Sequence, residues 1–240
     1  MATPIEASPR SSRRPVGPRG RAGLVLPLVA LLGALPALAE PRWNFRAQED
    51  GVAVYNREVV GSPIKEVKAE GVIDAPPAAV FAMIADVDSY PKTMPYTAVT
   101  KVLERSPDGR SLVYYARLSL PIISDRDYIL RVAEEKRPAD GMPPYRLTWK
   151  AVPDPRAPPP VKGVVRLTDV GGSWDLEPIR GGKATHAVYF VHLDPQSPLP
   201  GFLVDKGNSQ SVPKLFEHVR EWAQKPPYAQ TAQAPQASKP

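Results

Sequence analysis

The spacing of apolar positions changes period along the chain, and each change predicts an element. Val52-Ala53-Val54-Tyr55 opens a region of strands, and Lys65 to Ile73 (KEVKAEGVI) alternates throughout, the period of a half-buried strand. From Ala78 to Val87 the spacing becomes helical, with Val80, Ile84 and Val87 on one face. Asp74 and Pro76 supply start signals for this helix and Tyr90-Pro91 a stop. Alternation returns over Ala98 to Glu104, Leu112 to Leu120, Asp127 to Glu135, Tyr145 to Ala151, Gly163 to Val170, Ser173 to Ile179 and Thr185 to Leu193. Asp108-Gly109, Gly171-Gly172 and Gly181-Gly182 are hairpin signals. Finally, Val212, Leu215, Phe216, Val219 and Trp222 define one face of a closing amphipathic helix.

This order predicts an α+β fold: one curved antiparallel β-sheet wrapped around a long C-terminal helix. Consecutive hairpins build a single sheet with one wet and one apolar face, and the closing helix is the long apolar element left to cover it. Such an arrangement leaves room for an internal apolar cavity. Its expected lining is Tyr128, Leu130 and Val132 on one strand, Leu147 and Trp149 on the next, and Trp174 and Tyr189 further along. Val113, Tyr115 and Arg117 are assigned to the same face, and Val212 and Phe216 face them from the helix. Two other readings compete: these residues simply fill a packed core, or Tyr114, Ala116 and Leu118 are the inward set on their strand. Arg117 matters because a charge on an inward face needs a partner or a ligand.

Composition narrows the function. Arg10, Arg13, Arg14, Arg19 and Arg21 precede an uncharged apolar run from Ala22 that ends Ala37-Leu38-Ala39, the signature of a cleavable export signal. Residues 1–39 are therefore expected to be removed before Glu40, giving a periplasmic or secreted protein. The alternative is a retained membrane anchor. Removing this segment lowers the net charge from +6 to about +2, which takes away the basic footprint that nucleic-acid binding needs. The chain has no Cys, so disulfides, zinc-thiolate sites and Cys nucleophiles are excluded. Residues 40–224 are expected to form the domain, and 225–240 (KPPYAQTAQAPQASKP) a disordered tail.

No residue pattern points to catalysis, a cofactor or a metal. Asp125 and Asp127 share one side of a strand but flank Arg126, which favours an ion-pair network bracing the strand entry. His186 and His192 are six residues apart on one strand, too far to share an ion. No Ser stands in a nucleophile-elbow context. The Pro-rich run Pro153 to Val161 is expected to form an exposed loop, and ligand entry is expected between it and the helix face of Val212, Phe216 and Val219. Pro213 either sets the first turn of that helix or kinks a longer one.

An ordered series of short motifs carries a resemblance. Ser124-Asp125-Arg126-Asp127-Tyr128, a strand ending in Trp149, Gly163-Val164-Val165-Arg166, Trp174-Asp175-Leu176-Glu177-Pro178, and Asp194-Pro195 followed by Leu199-Pro200 occur in sequence. Trp43, Gly51 to Tyr55 and Lys68-Ala69 precede them. From about Trp43 to Ala223 the chain resembles the START (StAR-related lipid transfer) domain of the helix-grip superfamily, which includes polyketide cyclases. The resemblance implies a closed hydrophobic pocket for one sterol, phospholipid or similar ligand. The expected function is therefore lipid binding or transfer by a monomer, with transient membrane contact and without catalysis. The alternatives are an aromatase or cyclase on the same fold, with Arg117 or Tyr115 polarising a carbonyl, and a ligand-free protein-interaction module.

Overall fold

The computed structural model describes residues 42–62, 64–121, 123–136, 144–196 and 201–231, with backbone alone for 136 and 201–209. The expected signal segment and residues 232–240 lie outside these. The described residues belong to a compact unit that begins at Glu40.

The described strands are β1 (Asn44–Glu49), β2 (Val52–Glu58), β3 (Lys65–Ile73), β4 (Thr97–Arg105), β5 (Ser111–Leu118), β6 (Arg126–Lys136), β7 (Tyr145–Ala151), β8 (Val165–Leu167), β9 (Val170–Ile179) and β10 (Ala184–Leu193). They form one sheet in the order β1-β2-β3-β10-β9-β7-β6-β5-β4. The short β8 pairs in parallel with β6, and the other pairings are antiparallel. The helices are α1 (Pro77–Ala85), α2 (Tyr90–Thr93), α3 (Gly201–Ala223) and α4 (Tyr228–Thr231). β3 shows how the sequence sets the inner face: its alternation buries Val67, Ala69, Gly71 and Ile73 in turn. Pro77 occupies the first turn of α1, where its missing N–H costs nothing. The almost wholly apolar α1 buries Ala79, Val80, Met83 and Ile84 completely.

α3 lies across the inner face. Phe216 and Val219 are fully buried there and Val212 nearly so. The Phe216 ring packs on Gly71, where a β-carbon would come within 3.1 Å of it. Pro213 sits inside this 23-residue helix rather than at its start, so the backbone hydrogen bond it would donate one turn back is missing.

The sequence reading needs correction at five points of the fold. β1 was not foreseen. Gly171-Gly172 is no hairpin but part of β9, opposite Lys150 and Trp149 of β7; the expected strand from Gly163 to Val170 shrinks to β8. The tail does not begin at Lys225: Tyr228 in α4 is buried, and its hydroxyl donates to Asp86 Oδ2 at 2.7 Å. The Pro-rich loop does not face α3. Val152 and Ala157 pack against Val113, Tyr115 and Ile129 on the outer side of the sheet, so the gate expected between loop and helix is not formed.

Candidate functional site

Cross-strand register decides which expected residues meet. Leu130 stands opposite Tyr114, Tyr128 opposite Ala116, and Val132 opposite both Leu112 and Trp149. Leu147 faces Trp174, which faces Tyr189, which faces Ala69. Directly paired residues point to the same side. Tyr128, Leu130, Val132, Leu147, Trp149, Trp174 and Tyr189 therefore share the inner face, and all belong to the cluster that contains Val212 and Phe216.

Val113, Tyr115 and Arg117 do not join them. They pair with Arg131, Ile129 and Asp127 and point to the outer face. The inward residues of β5 include Leu112, Tyr114 and Ala116. Both faces of β5 are apolar because the loop after β7 covers the outer one, so alternation on β5 alone could not choose between them. The register with β6, where the inward set is plain, carries the missing signal.

Arg117 consequently has a structural partner. It donates to Asp125 from Nε at 2.8 Å and from an Nη at 2.5 Å. Asp127, 1% exposed, accepts from Arg166 Nε at 2.5 Å, Arg166 Nη2 at 2.9 Å and the Tyr115 hydroxyl at 3.2 Å. The two carboxylates do share one side and do brace the strand entry, but through Arg117 and Arg166. Arg126 turns to the inner face and donates to the Ser124 carbonyl. His186 and His192 share the outer face, with His192 Nε2 3.2 Å from Asp169 Oδ2.

Aromatic rings dominate the inner face. Trp149 stacks on Tyr189 at 5.7 Å, Trp174 lies 4.8 Å from Tyr189 and 5.1 Å from Phe216, and Phe81 stacks on Tyr145 at 4.8 Å. Tyr90, Tyr114 and Tyr128 form an edge-to-face chain with spacings of 6.0 and 6.1 Å. Burial is the largest cause pushing the phenols of Tyr90, Tyr114, Tyr128 and Tyr189 above their ordinary range. Nevertheless Tyr128, Trp149 and Tyr189 keep part of their surface accessible, as do Val191 and Leu193. Toward the other end of the same face Tyr145, Leu147, Leu176 and Ala187 are buried. Sequence reasoning missed Tyr90 and the inward Asn56, and held Tyr114 only as the alternative inward residue of its strand.

A surface cleft of about 380 Å³ lies elsewhere, between α3 and the segment joining α2 to β4. Lys92, Met94, Tyr96, Ser119, Lys214 and His218 line it, and none of the expected site residues does.

Known proteins share this architecture. The model of a family described as polyketide cyclase / dehydrase and lipid transport matches residues 73–220. An uncharacterized protein of Pseudomonas aeruginosa is 32% identical over 190 residues, covering 79% of this chain and 90% of that protein. The phosphatidylcholine transfer protein of Rattus norvegicus is 24% identical over 187 residues, covering 77% of this chain and 85% of that protein. The crystal structure of a STAR-related lipid transfer protein fragment from Xanthomonas axonopodis matches with a TM-score of 0.65 at 24% identity, over 76% of this chain and 99% of that one.

Proposed function

The chain belongs to the polyketide cyclase / dehydrase and lipid transport family and has its START-type helix-grip fold, and from that premise we propose that it is an exported carrier holding one apolar, lipid-like molecule between sheet and α3. The observation that carries this reading is the inner face itself. Tyr128, Trp149 and Tyr189 lie deep in the protein yet keep accessible surface. An apolar ligand filling that space gains about 0.8 kcal/mol per buried CH2, so a sixteen-carbon chain supplies on the order of 10 kcal/mol before the costs of association.

Holding rather than converting fits the same residues. Phenols pushed up by burial stay neutral near pH 7 and are poor proton acceptors there. The rat relative's name, a phosphatidylcholine transfer protein, supports transfer between membranes as the task. Val60, 88% exposed after β2, gives an apolar tip for transient membrane contact by the monomer. The basic run and Ala37-Leu38-Ala39 support export.

Native mass spectrometry of the protein purified from its own host tests the carrier reading. One lipid-like molecule per chain is expected, exchanging between vesicles without chemical change. A bare mass in every preparation, with no exchange, overturns the reading; a chemically altered product makes the protein an enzyme instead. N-terminal sequencing of envelope-fraction protein is expected to start at Glu40, and a full-length chain held in the membrane overturns cleavage.

A further inference from the structure

The surface cleft between α3 and the segment joining α2 to β4 gathers positive charge with no carboxylate in its walls. Lys214 and His218 stand one turn apart on the same side of α3, and Lys92 reaches the cleft from α2. Among the described residues neither Lys92 nor Lys214 belongs to an ion pair; Lys92 Nζ lies 5.1 Å from the centre of the Trp222 ring. Glu217 and Glu221 of α3 do not line the cleft, and Glu221 is paired with Lys225. The Thr93 carbonyl accepts from His218 Nδ1 at 3.3 Å, which fixes the ring against the wall. The opposite wall, made by Tyr96, Ala98 and Ser119, departs twice from regular backbone within three residues. Tyr96 sits in the left-handed region at φ 62°, which bulky side chains avoid, and the Ser119 N–H holds it there by donating to its carbonyl at 2.9 Å. Ala98 is an extra residue in β4, since Thr97 pairs with Leu118 and Val99 with the adjacent Arg117. Bulges and strained backbone concentrate beside binding sites.

A cleft lined by one sign of charge focuses the field and draws in counter-ions. We propose that this cleft of about 380 Å³ is a second binding site, separate from the inner face, that takes a phosphate monoester. Two ammonium groups match the charge of about −1.5 to −2 that such a phosphate holds at pH 7; a carboxylate supplies only one charge. The lysines and the Ser119 hydroxyl are donors, which suits the several acceptor oxygens of a phosphate. The volume is at the small end of the range of ligand pockets. It accommodates a small soluble organic phosphate, or the headgroup of a membrane lipid whose tails stay in the bilayer. The site does not depend on a ligand under the sheet, because none of the residues expected to line the inner face lines this cleft.

Calorimetric titration of the purified protein at low salt, with glycerol 3-phosphate and with glycerate, tests the site. The K92Q/K214Q variant removes both lysines of the cleft, while K150Q/K183Q removes two exposed lysines elsewhere and carries the same net charge. Wild type and K150Q/K183Q are expected to bind glycerol 3-phosphate about tenfold tighter than glycerate, and K92Q/K214Q to lose at least that factor. If neither soluble probe binds, sedimentation with vesicles decides. Binding to phosphatidylcholine vesicles that contain phosphatidic acid, absent on pure phosphatidylcholine and lost only in K92Q/K214Q, assigns the phosphate to a lipid headgroup. No binding to either form of phosphate overturns the proposal. Equal weakening in the two double variants overturns it as well, because net charge alone then explains the attraction, and so does glycerate bound as tightly as glycerol 3-phosphate. Should K92Q/K214Q melt below wild type, the exposed Lys214→Gln alone is read by the same criteria. The carrier reading is decided separately, by the lipid-like molecule that does or does not accompany the purified chain.

Discussion

At Gly172 of β9 a single hydrogen decides the packing. A β-carbon there would run into the Trp149 indole and the Phe190 carbonyl, whereas at Gly171 the nearest atom is the Trp149 carbonyl at an ordinary 3.5 Å. Gly172→Ala is therefore expected to cost about 2–3 kcal/mol as an overpacked site, and Gly171→Ala less than about 1 kcal/mol. Urea midpoints at unchanged slope measure both; equal midpoints would show that Trp149 does not hold this position. The inner phenols make a second prediction. Tyr90, Tyr114, Tyr128 and Tyr189 are raised chiefly by burial, while unfolded tyrosines ionise near pH 10. Groups raised on folding add stability that is complete below the unfolded value and lost as pH climbs toward the folded one. Stability should thus fall above about pH 10, by about 1.4 kcal/mol per pH unit for each phenol still neutral in the fold. Tyr114→Phe should make that fall shallower by one proton's worth. A slope identical to wild type in urea titrations across alkaline pH would contradict it.

Among the elements, legibility followed how one-sided each strand is. β3, β6 and β7 each carry one mainly apolar face, and their inward residues could be read from alternation. β5 could not be read so, because Val113 and Tyr115 are covered from outside by Val152 and Ala157. β1 gave almost no signal, since this edge strand is mostly exposed, Phe45 included. The glycine pair in β9 looked like a turn because nothing local shows that an indole from β7 will lie on it. α4 was hidden in a Pro-rich stretch with one aromatic, yet that aromatic is what folds it: Tyr228 is 5% exposed and donates to Asp86. Tyr228→Phe is expected to lose about 1–2 kcal/mol with the hydrogen bond, and Tyr228→Ala about 3–5 kcal/mol as the ring's contacts go too. Calorimetric melting of both variants checks the order. Full wild-type stability in Tyr228→Ala would return residues 225–231 to the status of a tail.

For the whole described body, the two ends of the inner face behave differently. At one end Leu176, Ala187, Gly71 and Val52 lie opposite one another in a continuous row, and Leu176, Ala187 and Val52 are at most 1% exposed. Arg220 ties α3 to this end, donating to the Val72 carbonyl at 2.9 Å and the Asp50 carbonyl at 2.7 Å. Further along the sheet Tyr128, Trp149, Tyr189, Val191 and Leu193 retain accessible surface, and Pro213 removes a backbone hydrogen bond from the α3 turn that precedes the anchored half. Low local stability concentrates where buried contacts and backbone bonds are fewest, so a ligand should exchange at this end while the anchored end stays shut. Binding then orders one end only. Hydrogen exchange of the ligand-free and lipid-loaded protein is expected to show slower amides around 126–132, 147–151 and 189–193 on loading. Amides around 69–73, 174–178 and 216–223 should exchange equally slowly in both forms. Protection gained evenly over the sheet, or chiefly at the Arg220 end, would mean that the ligand sits against the packed row instead.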